Sequence, residues 1–150
     1  MALLALDLGT KTGYAFGRTG AVISGTALFE PQRFEGGGMR YLRFRQWLDE
    51  MVALQPFEEV VFEEVRAHKG VDAAHVYGGL LGHLSAWCEE KKVPYSGVPV
   101  GTVKKFWTGK GNATKEKMIA AAELYGYKPG DDNEADALAL WHFRMASRGQ

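Results

Sequence analysis

The chain has 150 residues, and 18 lysines and arginines stand against 18 aspartates and glutamates, so the formal net charge is zero. A hydrophobic content of 46% and a charged content of 24% are those of an ordinary globular protein with one core, which excludes a disordered tail, a collagen-like repeat and a disulfide-stapled miniprotein. The lone Cys88 points to a reducing compartment, no apolar run approaches the ~20 residues that span a bilayer, and the apolar start Met1–Leu8 lacks the basic stretch of a secretory signal. In chain order, Ala2–Leu8 reads as a strand buried on both faces, and Gly9-Thr10-Lys11-Thr12-Gly13 as a turn. Tyr14–Gly17 and Ala21–Phe29 complete an antiparallel meander. After Gly36-Gly37-Gly38, Met39–Leu54 carries Phe44, Trp47, Leu48, Met51 and Val52 at helical spacing, and Pro56 closes it. Val60-Val61-Phe62 forms a fourth strand running into Glu63-Glu64. A long helix over Asp72–Lys91 follows, with Val76, Leu80, Leu84 and Trp87 on one side, then a fifth strand over Pro94–Val98. A short helix over residues 101–107, a helix Lys115–Tyr125 capped by Thr114 with Gly126 beyond it, and a last helix capped by Asp132 or Asn133 and reaching about Ala146 complete the chain.

Strands that alternate with helices imply parallel crossovers. The expected fold is therefore α/β: one unit over residues 1–150, with a five-stranded mixed sheet, antiparallel in strands 1–3 and parallel in strands 4–5, flanked by helices. Strands 1 and 4 both end in acids, at the carboxyl edge where sites form in open α/β sheets.

Zero net charge, taken as a sum, speaks against a nucleic-acid partner. The charges are segregated, however. Residues 33–45 hold Arg33, Arg40, Arg43 and Arg45 against Glu35, and residues 104–117 hold Lys104, Lys105, Lys110, Lys115 and Lys117 against Glu116. Acids gather in 49–64 and again in Asp131-Asp132-Asn133-Glu134-Ala135-Asp136. Asp7 ends an apolar strand, where a buried anion needs a partner; Lys11 is one candidate and a metal another. Glu63 and Glu64 face opposite sides of their strand, so only one of them can share a site with Asp7. Asn133 and Asp132 each lie on the same helix face as Asp136. Three carboxylates from two strands and a helix start suit Mg²⁺ or Mn²⁺, and there is no His/Cys set for zinc. His68, His75, His83 and His142 show no ligand spacing. Two such ions can activate water and stabilise the leaving oxygen in phosphodiester hydrolysis. The Lys104–Lys117 segment, with Phe106 and Trp107 among its lysines, suits a polyanionic substrate.

Leu4-Ala5-Leu6-Asp7-Leu8-Gly9-Thr10-Lys11-Thr12-Gly13, Phe62-Glu63-Glu64-Val65, the Lys104–Lys117 segment and Asp132–Leu140 resemble, in order, the motifs of RuvC-type Holliday-junction resolvases of the RNase H-like superfamily. The likeness spans about residues 3–143 and is nearest the short versions carried by phages. The resemblance implies a divalent-metal-dependent crossover junction endodeoxyribonuclease acting in DNA recombination and repair. It implies two Mg²⁺ ions per site, with Mn²⁺ substituting, and 5′-phosphate and 3′-hydroxyl products. Asp7, Glu63 and Asp136 would be catalytic metal ligands, joined by Asn133 or Asp132, and Lys104 and Lys115 would neutralise the scissile phosphate. Lys11, Arg66, Lys69, Lys105, Lys110 and Lys117 would help to hold branched DNA. The family often carries an aromatic wedge soon after the strand-4 glutamate, whereas this chain has Arg66-Ala67-His68-Lys69. The resemblance further implies a homodimer, joined through the Asp72–Lys91 helix, in the cytoplasm of a bacterial or phage-infected cell, with no membrane and no nucleotide cofactor. Three other readings share parts of the pattern. RNase H-like nucleases of ribosomal RNA maturation also open on Asp-x-Gly-Thr-Lys. Actin-like ATPases open on Asp-x-Gly-Thr but need a second domain, for which 150 residues leave no room. A non-catalytic DNA-binding module would not need Asp7, Glu63 and Asp136 together.

Overall fold

The computed structural model describes residues 1–148. Its elements are β1 (Leu3–Asp7), β2 (Lys11–Arg18), β3 (Ala21–Leu28), α1 (Gly38–Leu54), β4 (Glu59–Glu64), α2 (Val71–Lys91), β5 (Tyr95–Pro99), α3 (Val100–Thr108), α4 (Lys115–Leu124) and α5 (Asp132–Arg148). The strands form one sheet in the order β3-β2-β1-β4-β5. β1, β2 and β3 pair antiparallel, whereas β4 pairs parallel with both β1 and β5. The expected five-stranded mixed sheet is therefore the one observed.

Period-two alternation divides the core between the two faces of the sheet. Leu4, Leu6, Phe16, Val60 and Phe62 face α1 and α2, where Phe44, Leu48, Leu80, Leu84 and Trp87 meet them. Leu3, Ala5, Ala15 and Val61 face the other way, against Val103 and Trp107 of α3, Met118 and Ala122 of α4, and the Ala135–Trp141 stretch of α5. The small residues Ala135, Ala137 and Ala139 are fully buried, which lets α5 lie close to the sheet.

Two local expectations are corrected. Lys11–Gly13 is not a turn but the start of β2, where Lys11, Thr12 and Gly13 pair with Leu28, Ala27 and Thr26; the turn is confined to the residues after Asp7. The cap of α5 is neither Asp132 nor Asn133. The Asp131 carboxylate accepts the Glu134 N–H at 2.9 Å, and its carbonyl accepts the Ala135 N–H. Thr114 caps α4 as expected, its hydroxyl accepting from the Lys117 N–H. Among the described residues, no helix is long and apolar enough to cross a membrane.

Candidate active site

The parallel β1–β4 register matches Leu6 with Phe62, so the next residues, Asp7 and Glu63, leave the sheet side by side at its carboxyl edge. Both belong to the odd-numbered set that faces α5. Glu64 belongs to the opposite face, which decides between the two adjacent glutamates in favour of Glu63. Asp136 completes the group from the second turn of α5. One carboxylate oxygen from each of Asp7, Glu63 and Asp136 lies within 4.8 Å of the others.

Three acids this close in a low-dielectric pocket cannot all ionise cheaply. Burial, followed by repulsion from Glu63 and Asp136, holds the Asp7 carboxyl well above the usual carboxylate range. Burial and then Asp136 push Glu63 up to about 8. Burial and then Asp132 push Asp136 up to about 6. Asp7 and Asp136 are within side-chain hydrogen-bonding reach of one another. The Glu63 Oε1 atom is buried and has no hydrogen-bond partner. An orphaned buried oxygen beside two more carboxylates, with no nitrogen or sulfur donor in the group, fits a hard divalent cation bound by oxygen.

The scaffold explains how these side chains are held. Thr26 donates to the Asp131 carboxylate at 2.8 Å and Ser24 to that of Glu134 at 2.7 Å, tying the first turn of α5 to β3. Glu134 also accepts the Gly130 N–H at 2.9 Å. The acidic run 131–136 thus has two jobs. Asp131 and Glu134 fix the helix start, whereas Asp132 and Asp136 lie near Asp7. At the end of β4, the Tyr77 hydroxyl donates to the Glu63 carbonyl at 2.8 Å and accepts the Val65 N–H at 3.1 Å. Sequence spacing puts Tyr77 with Leu80, Leu84 and Trp87 on the 3-4-3 stripe of a buried helix face, but does not reveal this clamp.

The lysines divide as follows. Lys104, partly buried on α3, draws both Glu63 and Asp136 back toward ionisation. Lys115 does the same for Asp136 and lies 3.8 Å from the Asp132 carboxylate. Lys105, Lys110 and Lys117 are exposed on the α3–α4 flank, and Lys11 and Lys69 on the edge that carries Asp7. Arg66 pairs with the neighbouring Glu64 at 3.1 Å. Asp132 is close enough to raise both Asp7 and Asp136, whereas the Asn133 backbone packs against Gly13. His142 bonds the Tyr127 hydroxyl at 2.7 Å, and His83 stacks on Tyr41, so these two histidines serve packing.

A mixed five-stranded sheet with a carboxylate triad at its carboxyl edge defines an RNase H-like architecture. A search of family models returned no match. A curated relative, crossover junction endodeoxyribonuclease RuvC of Anaeromyxobacter sp. (strain Fw109-5), is 31% identical over 153 residues, an alignment spanning 99% of this chain and 74% of the relative. The chain therefore belongs to the RuvC family. Two solved structures share the fold: T. thermophilus RuvC in complex with Holliday junction substrate, with a TM-score of 0.78, 24% identity and coverage of 98% of this chain and 97% of that one, and a yeast mitochondrial Holliday junction resolvase, with a TM-score of 0.64, 12% identity and coverage of 92% and 75%.

Proposed function

We propose that this protein is a divalent-metal-dependent endodeoxyribonuclease that resolves four-way or otherwise branched DNA junctions. The observation that carries the reading is the meeting of Asp7, Glu63 and Asp136 oxygens within 4.8 Å at the sheet edge. Membership of the RuvC family supports the junction as substrate, as does the fold shared with a relative solved on a Holliday junction.

Asp7, Glu63 and Asp136 would hold the metal, with Asp132, whose charge acts on Asp7 and Asp136, or Asn133 as the fourth ligand. A pair of Mg²⁺ ions, or Mn²⁺ in their place, held by these residues would supply the positive charge for activating a water and stabilising the leaving oxygen. The chain's own residues do the rest. Ionised, the three carboxylates present a compact negative pocket that holds cations at the edge. Lys104 and Lys115 offset the charge of the scissile phosphate, which otherwise would be repelled by that pocket. Water attacks phosphorus, the bond to O3′ breaks, and the leaving oxygen takes a proton, giving a 3′-hydroxyl and a 5′-phosphate. Lys105, Lys110 and Lys117 extend the cationic surface away from the cut, and Lys11, Arg66 and Lys69 border it on the other side.

A symmetric junction requires two symmetric nicks, which two copies related by a two-fold axis deliver. The exposed side of α2, with Asp72, His75, Gly78, Gly82 and Ala86, is the surface we assign to that contact. The enzyme would act in the cytoplasm of a bacterial or phage-infected cell. The test is cleavage of a four-way DNA junction, a matched duplex and a structured RNA, side by side, with Mg²⁺ and with chelator. Metal-dependent cleavage confined to the junction is expected; cleavage of the RNA alone would transfer the site to RNA processing.

A further inference from the structure

Among the described residues, Phe34 is the most exposed large apolar side chain at 94%, and it sits in the loop between β3 and α1. Its backbone is unusual as well. The Glu35 N–H bonds the Gln32 carbonyl at 3.0 Å, which makes Arg33 and Phe34 the two corners of a tight turn. Phe34 occupies the second corner with φ of 75°. A turn of this kind calls for glycine or asparagine at that corner, since a side chain there is strained. Three glycines stand at 36–38, just beyond Glu35, yet the corner itself carries a phenyl ring that packs on nothing in the core.

The loop is built to hold this ring out. Glu35 accepts the Gln32 N–H at 2.6 Å and is forked by Arg43, and Arg40 donates to the Phe29 carbonyl at 2.7 Å at the loop's root. The Arg33 guanidinium lies 5.1 Å over the Phe34 ring, so the tip joins a flat apolar face to a positive charge. Its place in the fold matters most. Leu28 at the end of β3 pairs with Lys11, the Phe29 N–H bonds the Thr10 carbonyl, and β1 and β3 run the same way. The loop that carries the tip therefore leaves the sheet from the same edge as Asp7 and Glu63, with its root beside exposed Lys11.

From this geometry we infer that Phe34, with Arg33, is a stacking platform for an unpaired nucleobase at the branch point of the DNA. The inference rests on the junction reading above. A flat ring backed by a guanidinium suits a base, because every base presents a π-face and its backbone carries the matching negative charge. In continuous duplex every base is paired and stacked on both faces, whereas at the branch point stacking is interrupted and a base can leave its partner for the ring, so the platform adds affinity at the branch point alone.

The test uses the full-length protein in chelator, so that no strand is cut, and a four-way junction carrying 2-aminopurine at the branch point. Wild type is expected to bind this junction more tightly than duplex and to change the probe's fluorescence. Phe34→Ala should weaken junction binding about tenfold, leave duplex binding unchanged and abolish the fluorescence change. Phe34→Trp should behave as wild type and Phe34→Leu as alanine. Because the ring is exposed, all three variants should unfold at the wild-type temperature. Wild-type affinity and fluorescence in Phe34→Ala would overturn the platform while leaving the junction reading intact, as would full rescue by leucine, which supplies apolar bulk without a π-face. Failure of wild type itself to prefer junction over duplex would overturn both.

Discussion

The backbone of Gly13 lies against the carbonyl of Asn133 so closely that a β-carbon on Gly13 would overlap it. Gly13 is also the residue paired with Asp7 across the β1–β2 ladder. One close contact therefore sets the height of α5 above the sheet at the point where Asp136 meets Asp7. Gly13→Ala is expected to push the helix start outward, costing ~1–3 kcal/mol of stability and weakening metal binding as well. Thermal melts with and without Mg²⁺ check both. Gly36→Ala, at a position with open space around the added carbon, serves as the control.

The same crowding of acids gives the metal-free protein a distinctive response to pH. Glu63 is pushed from 4.5 to about 8 and Asp136 from 3.8 to about 6. The unfolded chain releases these protons at the ordinary values while the folded chain retains them, so rising pH favours unfolding. Metal-free stability should fall as pH rises from about 4.5 to about 8. A cation must displace the same protons, so the stabilisation Mg²⁺ adds should grow over that interval. Glu63→Gln removes the titrating group. It should raise the metal-free melting temperature near pH 8 and abolish most of the added stabilisation.

The fold and the triad were legible because both rest on local patterns. Apolar strands ending in Asp7 and Glu63, joined by a helical crossover, place two acids on one edge, and alternation allows only one of Glu63 and Glu64 to face Asp7. What was not legible depends on partners distant in sequence. Asp131, Asp132 and Asn133 are all good capping residues, and nothing local ranks them. Thr26, 105 residues away, binds Asp131, and that contact selects the cap. Lys11–Gly13 read as a turn because Thr12 and Gly13 lack an apolar rhythm, yet pairing with β3 makes them strand.

Glu59 is another acid whose role only the structure reveals. Burial works against its charge, but hydrogen bonds from Arg144 and Arg148 outweigh that cost and hold its carboxyl below the usual range. The three residues pin the end of α5 to the start of β4, at the opposite edge from the triad. Glu59→Ala should cost ~3 kcal/mol, because it leaves two clustered guanidiniums without their anion. Metal affinity should change little. Chemical denaturation and a metal titration of the same variant separate the two effects.

Lys104 and Lys115 should behave differently from the outlying lysines. Lys104→Ala and Lys115→Ala are each expected to slow cleavage and to reduce the salt dependence of DNA binding by about one phosphate contact. Lys117→Ala should reduce the salt dependence alone. Binding isotherms over a salt series, with single-turnover rates on the same substrates, distinguish the two classes.

The central claim is that Asp7, Glu63 and Asp136 act together on a metal to cut branched DNA. The most direct measurement compares wild type with Asp7→Asn, Glu63→Gln and Asp136→Asn on a four-way junction in Mg²⁺, scoring binding and cleavage in the same reactions. The account predicts that every variant binds the junction and none cuts it. Cleavage at the wild-type rate by any of the three would contradict it.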